Sequence, residues 1–374
     1  MKVIKILFFN LFFSIALIGF IVFSLVILSE SARYIKYHFI SENTDCINSS
    51  CLSNYKNIKW IKKHFIEYGK IRFHYETPIV YKADIFNGET INIEGEYNIR
   101  RTKGKKDLKN NSEQAYFFGG SVMWGYGSND KNTIPSHFQN FSDIKSYNFG
   151  ESAWTSDQSL MYLIRLLKDG HKPDYVIFYH GVNDYDKCRD TGNHSGILIE
   201  NKLKIKFKEA LRTHAKTTFK IFFSIPIELI RKMKNIDPEN KEVDLQEYFN
   251  RTKCIDPELQ KKIAHNLTQN WEIANDLVAK YGGKFYAFLE PHAYFRNTSL
   301  DQISDILSYK EVEFKSFNNT YKNIEKEMED KDYFFNFKDI FNTMNEPVFI
   351  DKVHVSPNGN KFSAQKISTI IIKN

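Results

Sequence analysis

The amino-acid sequence predicts an α/β fold, with a doubly wound, mostly parallel sheet and one N-terminal transmembrane helix. Short apolar segments of strand type alternate with longer helical segments from about residue 115 onward, which is typical of a parallel sheet covered on both faces. A run without any charged residue, Ile6 to Ser29, precedes them. The chain has 374 residues, of which 42% are hydrophobic, so it can bury a large core and is not a disordered protein.

The uncharged run at the N-terminus is long enough to cross a membrane. As a helix it extends about 36 Å, against ~30 Å for a hydrocarbon core. A cleaved signal peptide is the alternative, but its apolar region is usually only ~7–15 residues long, and the residues after the run form a poor cleavage site. Lys2 and Lys5 favour a cytoplasmic N-terminus, although basic residues also follow the run. We expect an uncleaved anchor, with the rest of the chain on the extracytoplasmic, periplasmic side.

The sequence divides into three regions. Residues 1–30 form the predicted signal anchor, residues 31–110 a membrane-proximal region of mixed structure, and residues 111–374 the α/β domain. The polar stretch KGKKDLKNN, at 103–111, is expected to be a loop between the last two regions. An insertion at about 185–255 interrupts the α/β domain.

The chain has a net charge of +7, and its positive charge is distributed unevenly, with most of it in the insertion. Basic residues between Lys202 and Lys234 alternate with phenylalanines and leucines. We interpret this segment as a solvated lid, with contact to anionic lipid as the alternative. Nucleic-acid binding is not expected from an exported domain.

The first half of the α/β domain shows three strands and two helices. Tyr116–Phe118 is apolar and aromatic, and Thr133–Phe141 follows as a short helix. Ser146–Phe149 is predicted as the second strand. Ser156–Lys168 is predicted as a helix because its leucines recur on one face and a glycine follows its end. Tyr175–Tyr179 is apolar throughout, as buried parallel strands are.

The second half repeats the alternation. Asp256 and Pro257 form a helix start, a capping residue followed by proline at the first helical position, and the helix runs to Gly282. Lys284–Leu289 is the fourth strand, and a polar helical region follows it. Phe362–Ile372 closes the chain as a helix.

Four cysteines are consistent with an oxidising compartment. Cys46–Cys51 and Cys188–Cys254 are favoured among the three possible pairings, and four buried thiols are the alternative. The sequence contains neither a C-x-x-C motif nor a His/Cys cluster, so we predict no zinc site, no other metal and no cofactor.

Four short motifs contain the candidate catalytic residues. Ser121 follows a strand within FGGSVMWGYG, and Asn148-Phe149-Gly150 ends the second strand. The third strand ends in Gly181-Val182-Asn183-Asp184, and Asp351 precedes His354 by three residues near the C-terminus. Each motif alone is equally well explained as a turn. Their joint occurrence at strand ends favours a catalytic site.

Serine, glycine, asparagine and histidine in this order resemble the four sequence blocks of the SGNH/GDSL hydrolase family, over roughly residues 115 to 374. The first block departs from the usual Gly-Asp-Ser-Leu, since Gly120 replaces the aspartate and Val122 the leucine. The resemblance implies a flavodoxin-like sheet of the SGNH type. Within the family, the chain resembles exported, membrane-anchored bacterial members that act on acylated glycans.

Ester hydrolysis through a serine needs a base, a group that orients the base, and donors for the oxyanion. Ser121 is the predicted nucleophile, His354 the base and later the acid, and Asp351 the residue that orients the imidazole. The predicted oxyanion hole consists of the backbone N–H groups of Ser121 and Gly150 and the side-chain amide of Asn183. We expect Asp184 to be structural, and Trp124 and Trp154 to lie in the core rather than to stack on sugars.

The sequence therefore predicts an esterase that removes acyl groups, above all acetyl, from a cell-envelope carbohydrate. A glycan O-acyltransferase using the same triad is the first alternative, and with only one span it would need a membrane partner as acyl donor. A lipid esterase and an inactive glycan-binding module are further alternatives. The expected partners are an acylated glycan or other ester substrate, and the membrane through residues 6–29.

Overall fold

The computed structural model describes residues 49–104, 108, 112–190, 193–198, 253–296 and 311–373, with scattered positions between 13 and 28. Most of the predicted anchor, the basic segment between Lys202 and Lys234, most of the insertion and Cys46 lie outside the described residues. Within the part of the chain that is described, no helix combines the length and the apolar character that a membrane crossing requires.

The N-terminal region contributes one helix and five short strands. Helix α1 is Ile61–Tyr68, and strands β1 and β2, Phe73–Glu76 and Val80–Ala83, pair as an antiparallel hairpin. Strands β3, β4 and β5 are Phe86–Asn87, Asn92–Glu94 and Ile99–Arg100. Strand β4 pairs antiparallel with β3 on one side and with β5 on the other, and β5 pairs with a strand of the α/β domain. Part of the predicted membrane-proximal region 31–110 therefore extends the main sheet.

The α/β domain supplies the other strands and the remaining helices. In chain order, its strands are β6 Gln114–Gly119, β7 Lys145–Asn148, β8 Tyr175–His180, β9 Lys284–Leu289 and β10 Phe334–Asn336. Its helices are α2 Ser121–Trp124, α3 Ile134–Ser142, α4 Ser156–Lys168, α5 Val182–Asp190, α6 Pro257–Lys280, α7 Glu311–Glu327 and α8 Pro357–Lys373.

The eight strands of the main sheet have the order β10-β9-β8-β6-β7-β5-β4-β3. The five strands from β10 to β7 are parallel. Because successive side chains of a strand point to opposite faces, Phe117 and Ile177 pack on one side, with α3 and α8, whereas Phe118 and Phe178 pack on the other, with α4 and α6. The predicted α/β fold with a mostly parallel sheet is confirmed.

The observed bounds of helices and strands match the predicted bounds where a strong local sequence signal marks both ends of the element. Helix α4 and strand β9 have their predicted bounds, and α6 begins at the predicted Pro257, capped by the Asp256 side chain. Helix α8 begins five residues earlier than predicted, at Pro357. Strand β10 and helix α5 were not predicted.

A disulfide joins the two ends of the insertion. Cys188 in α5 and Cys254 before α6 are bonded, with an S–S distance of 1.98 Å, as predicted. Cys51 is also disulfide-bonded, and its predicted partner Cys46 lies outside the described residues.

Candidate active site

The predicted nucleophile, Ser121, lies in a sharp turn between β6 and α2. Strand β6 ends at Gly119, Gly120 is extended, and Ser121 is the first residue of α2. A Cβ atom at Gly119 would lie 2.7 Å from the Tyr179 carbonyl oxygen, and one at Gly120 would lie 2.3 Å from Asn183 Nδ2. Both glycines are therefore required for close packing, and the half-buried Ser121 lies at the carboxyl edge of the sheet.

Ser121, His354 and Asp351 form a continuous hydrogen-bonded chain. The Ser121 hydroxyl lies 2.7 Å from His354 Nε2. His354 Nδ1 lies 2.6 Å from Asp351 Oδ2. With Nδ1 protonated, the imidazole donates to the carboxylate and Nε2 is free to accept the serine proton. The structure brings the three predicted catalytic residues together, although 233 positions separate Ser121 from His354.

Asp351 is held in its ionised form by the loop that carries it. Its Oδ1 accepts hydrogen bonds from the backbone N–H groups of Val353 and His354, at 2.8 and 2.7 Å. Burial acts to raise the pKa of Asp351, but His354 and these two backbone donors outweigh burial and keep the pKa below its ordinary value. The carboxylate is therefore ionised at neutral pH and can orient His354.

The His354 ring is also fixed by packing. The ring of Tyr126, two residues beyond α2, lies 4.3 Å from it between centroids. The backbone of the histidine loop is closed by a hydrogen bond of 2.9 Å from the Ile350 N–H to the His354 carbonyl. These contacts limit the imidazole to orientations that face Ser121.

Asn183 lies where the sequence predicted it, beside the nucleophile turn. It occupies the first turn of α5, and its Nδ2 donates to the Trp154 carbonyl oxygen at 2.9 Å. A side-chain amide has two N–H bonds, so a second donor remains for an oxyanion. The Ser121 N–H belongs to the first turn of α2, where backbone donors have no partner within the helix.

The backbone N–H of Gly150, the third predicted oxyanion donor, makes a hydrogen bond within its own loop. It donates to Asn148 Oδ1 at 3.0 Å, and Asn148 Nδ2 donates to the Met123 carbonyl at 3.0 Å. A Cβ at position 150 would lie 2.7 Å from the Trp124 backbone nitrogen, so the glycine allows this loop to pack against α2. The Gly150 N–H is thus already used as a structural donor.

Ala153, three residues later, was not identified from the sequence. Its φ is +60°, an uncommon value for a residue with a side chain. Among the described residues, no partner accepts a hydrogen bond from its N–H. The next residue is Trp154, whose carbonyl holds Asn183. An alanine gives no sequence signal for such a conformation, and only the backbone geometry reveals it.

The chain is similar to known proteins of one family. The sequence model of the family described as GDSL-like lipase/acylhydrolase matches residues 116–367, more than half of the chain. The chain belongs to this acylhydrolase family. It is therefore an ester hydrolase, and the matched range includes Ser121, Asp351 and His354. None of the curated proteins matches the chain.

Three solved structures show distant similarity to this acylhydrolase. A member of the lipolytic G-D-S-L family from Veillonella parvula has 12% sequence identity and a TM-score of 0.38, over 70% of this chain and 100% of that one. A carbohydrate acetylesterase from Sinorhizobium meliloti has 12% identity and a TM-score of 0.36, over 70% and 99%. An alpha/beta hydrolase from the metagenome of Lake Arreo has 11% identity and a TM-score of 0.35, over 72% and 98%.

Asp184 joins helices α5 and α4 beside the acylhydrolase site. It is buried, its carboxylate accepts from the Ser156 hydroxyl at 2.7 Å, and Lys187 Nζ lies 3.0 Å away. Burial acts to raise the pKa of Asp184, but Lys187, His180 and Ser156 together keep the pKa below its ordinary value. The predicted structural role of Asp184 agrees with this geometry.

A second buried carboxyl lies beside the start of α5. Glu290 Oε2, just after β9, accepts from the Val182 N–H at 3.3 Å. Burial, together with the nearby Asp184 and Asp186, raises the pKa of Glu290 to about 8, against the lowering effect of the Val182 donor. Glu290 is therefore neutral at pH 7 in the folded protein.

The side chains of Trp124 and Trp154 are buried, as predicted.

Proposed function

We propose that this acylhydrolase is a serine esterase that removes acyl groups, above all acetyl groups, from a cell-envelope carbohydrate. The observation that carries the serine mechanism is the 2.7 Å hydrogen bond between Ser121 Oγ and His354 Nε2, continued to Asp351. A half-buried serine on this chain is accessible to an ester and has a base within reach of its proton.

The reaction follows from the positions of the three side chains. Ser121 Oγ attacks the ester carbonyl carbon while His354 Nε2 takes the serine proton, and the carbonyl oxygen becomes an oxyanion. Collapse of this intermediate breaks the bond between the carbonyl carbon and the sugar oxygen, and the sugar oxygen leaves with the proton from His354. Water then attacks the acyl-serine carbonyl carbon with His354 again as base. The bond to Ser121 Oγ breaks, the carboxylic acid is released, and His354 returns the proton to Ser121.

We propose that the Ser121 N–H and the second N–H of the Asn183 amide bind the oxyanion. The third predicted donor, the Gly150 N–H, donates to Asn148 Oδ1 at 3.0 Å in this structure. Each such donor is worth ~10²–10³ in kcat in enzymes of this type.

The proposed location is the periplasmic side of a membrane, with residues 6–29 as the anchor. The Cys188–Cys254 disulfide supports an oxidising compartment. Phe13, Phe20 and Leu28, which are described positions of the predicted anchor, are apolar and exposed, as side chains that face lipid would be.

The test separates hydrolysis from transfer. Full-length protein in detergent is supplied with 4-nitrophenyl acetate, with and without an oligosaccharide acceptor, and the products are separated by mass. An esterase releases acetate alone at an unchanged rate. Acetylated oligosaccharide, formed with faster turnover, would show an acyltransferase instead.

A further inference from the structure

The N-terminal region forms one wall of the catalytic site. Tyr68, the last residue of α1, has its ring 5.4 Å from the ring of Trp124 and 4.8 Å from that of Tyr126. Its hydroxyl lies 3.2 Å from Ser152 Oγ. Since Trp124 ends the nucleophile helix and Tyr126 contacts His354, Tyr68 joins the turns that carry the catalytic groups.

The hairpin β1–β2 continues this wall away from the triad. The Tyr81 hydroxyl donates to the Ser152 carbonyl oxygen at 2.9 Å, and the ring of Phe73 lies 6.0 Å from that of Tyr81. Tyr75 lies directly opposite Tyr81 in the hairpin, so Phe73, Tyr75 and Tyr81 share one face. Phe73 is 46% and Tyr75 73% exposed.

These side chains form a series, which we call the aromatic row: Tyr126, Tyr68, Tyr81, Phe73 and Tyr75. Tyr68 and Tyr81 are linked within it by their hydrogen bonds to Ser152. The inner end of the row contacts His354, and its outer end is open to solvent. Within the row, exposure increases with distance from the triad, because Tyr68, Tyr81 and Tyr126 are half-buried and the hairpin residues are exposed. An isolated exposed phenylalanine would be unremarkable on a protein surface, but a series that begins at the catalytic histidine is a surface on which a substrate can extend.

We propose that the aromatic row binds the sugar chain of an extended glycan whose ester lies at Ser121, so that Phe73 and Tyr68 determine specificity. This proposal rests on the proposed function. Aromatic rings offer rigid apolar faces with polar edges, which suits the alternating C–H and hydroxyl groups of sugars.

The surroundings of the row favour a glycan over a lipid chain. The hydroxyls of Tyr68 and Tyr81 are hydrogen-bonded to Ser152 within the row. The charged side chains of the hairpin, His74 with Asp84 and Glu76 with Arg165, lie on its opposite face, because successive residues of a strand alternate in direction. The row itself is open along its length and does not provide the apolar enclosure that a long acyl chain requires.

The experiment compares substrates of two lengths. The full-length protein in detergent is assayed on chemically O-acetylated β-glucan, xylan and chitosan oligosaccharides of two and six sugars, with 4-nitrophenyl acetate and dodecanoate as non-sugar esters. We expect kcat/KM to be about tenfold higher for six sugars than for two on at least one glycan, since each aromatic contact beyond the triad contributes a factor of this order. Phe73→Ala should remove this preference.

Three further variants make the result specific. Tyr68→Phe, which keeps the ring, should retain the length preference, whereas Tyr68→Ala should lower kcat/KM for both lengths. Tyr281→Ala is the matched control and should change the rate for neither length. Tyr281 is 39% exposed and lies between α6 and β9, at the amino ends of the parallel strands, whereas the site lies at their carboxyl ends.

The proposal is overturned if the wild type cleaves no glycan, shows no length preference, or keeps its preference in Phe73→Ala. A selective loss of dodecanoate hydrolysis in Phe73→Ala would overturn it as well and identify the row as an acyl-chain site. Hydrolysis of 4-nitrophenyl acetate that depends on Ser121 leaves the serine mechanism intact in all these cases, so failure of the row is distinguishable from failure of the catalytic proposal.

Discussion

At the scale of single residues, the central feature is the side-chain amide of Asn183. One of its N–H bonds donates to the Trp154 carbonyl at 2.9 Å and fixes the side chain, and we propose that the other binds the oxyanion. We predict that Asn183→Ala lowers kcat by ~10²–10³ with little change in KM, because the interaction forms fully only in the transition state. Steady-state hydrolysis of an aryl acetate measures this. An unchanged kcat would remove Asn183 from the oxyanion hole.

Glu290 makes the stability of the protein depend on pH in the opposite sense to an ordinary carboxylate. Its folded pKa of about 8 lies above the unfolded value of 4.5, so only the unfolded state loses the proton between these two pH values. Stability therefore falls as pH rises through this window. We predict that Glu290→Gln gains stability relative to the wild type from pH 5 to pH 8, as measured by urea unfolding. A pH-independent difference between the two proteins would contradict the assignment.

The positions of the candidate site residues could be predicted from the sequence because each follows a strand or precedes a helix with a clear local signal. Ser121, Asn183, Asp351 and His354 all lie where this reasoning put them. The local backbone geometry beside the site could not be predicted in the same way. The Gly150 N–H donates to Asn148 Oδ1, and Ala153 has a positive φ, and neither feature is encoded by residue type.

At the scale of elements, Asp184 joins two helices at the base of the site. It lies in α5, accepts from the backbone and hydroxyl of Ser156 at the start of α4, and pairs with Lys187. We predict that Asp184→Asn destabilises the protein by about 3 kcal/mol, because a buried lysine loses one of its partners.

The effect of Asp184→Asn should also depend on pH. Because the folded pKa of Asp184 is depressed, its contribution is present above the ordinary pKa near 4 and is lost as pH falls through the folded value. Urea unfolding at pH 7 and at pH 3 should show a smaller difference between variant and wild type at the lower pH. A difference that grows on acidification would contradict the pairing.

Secondary structure was predictable where side-chain periodicity and end signals coincide. Helix α4 combines an apolar face with a capping box at Thr155, and α6 combines Asp256 with Pro257. Strands β3, β5 and β10 contain only two or three residues each, so no periodicity could develop within them. Such strands are specified by the neighbour with which they pair.

At the scale of the whole molecule, the proposed anchor at residues 6–29 implies a definite topology. We predict that a reporter enzyme active only outside the cytoplasm works when fused after His38, and that a cytoplasmic reporter at the same position does not. The disulfide between Cys188 and Cys254 is consistent with that side of the membrane. Activity from the cytoplasmic reporter alone would overturn the proposed location.

The most direct test of the account is covalent labelling of the nucleophile. Full-length protein in detergent is treated with a fluorophosphonate probe, which reacts with activated serines, and hydrolysis of 4-nitrophenyl acetate is measured in parallel. Ser121→Ala should abolish both, His354→Ala should come close to doing so, and Asp351→Asn should retain slightly more activity because it disturbs orientation without removing the base. Labelling and hydrolysis that survive in Ser121→Ala would show that this serine is only a turn residue.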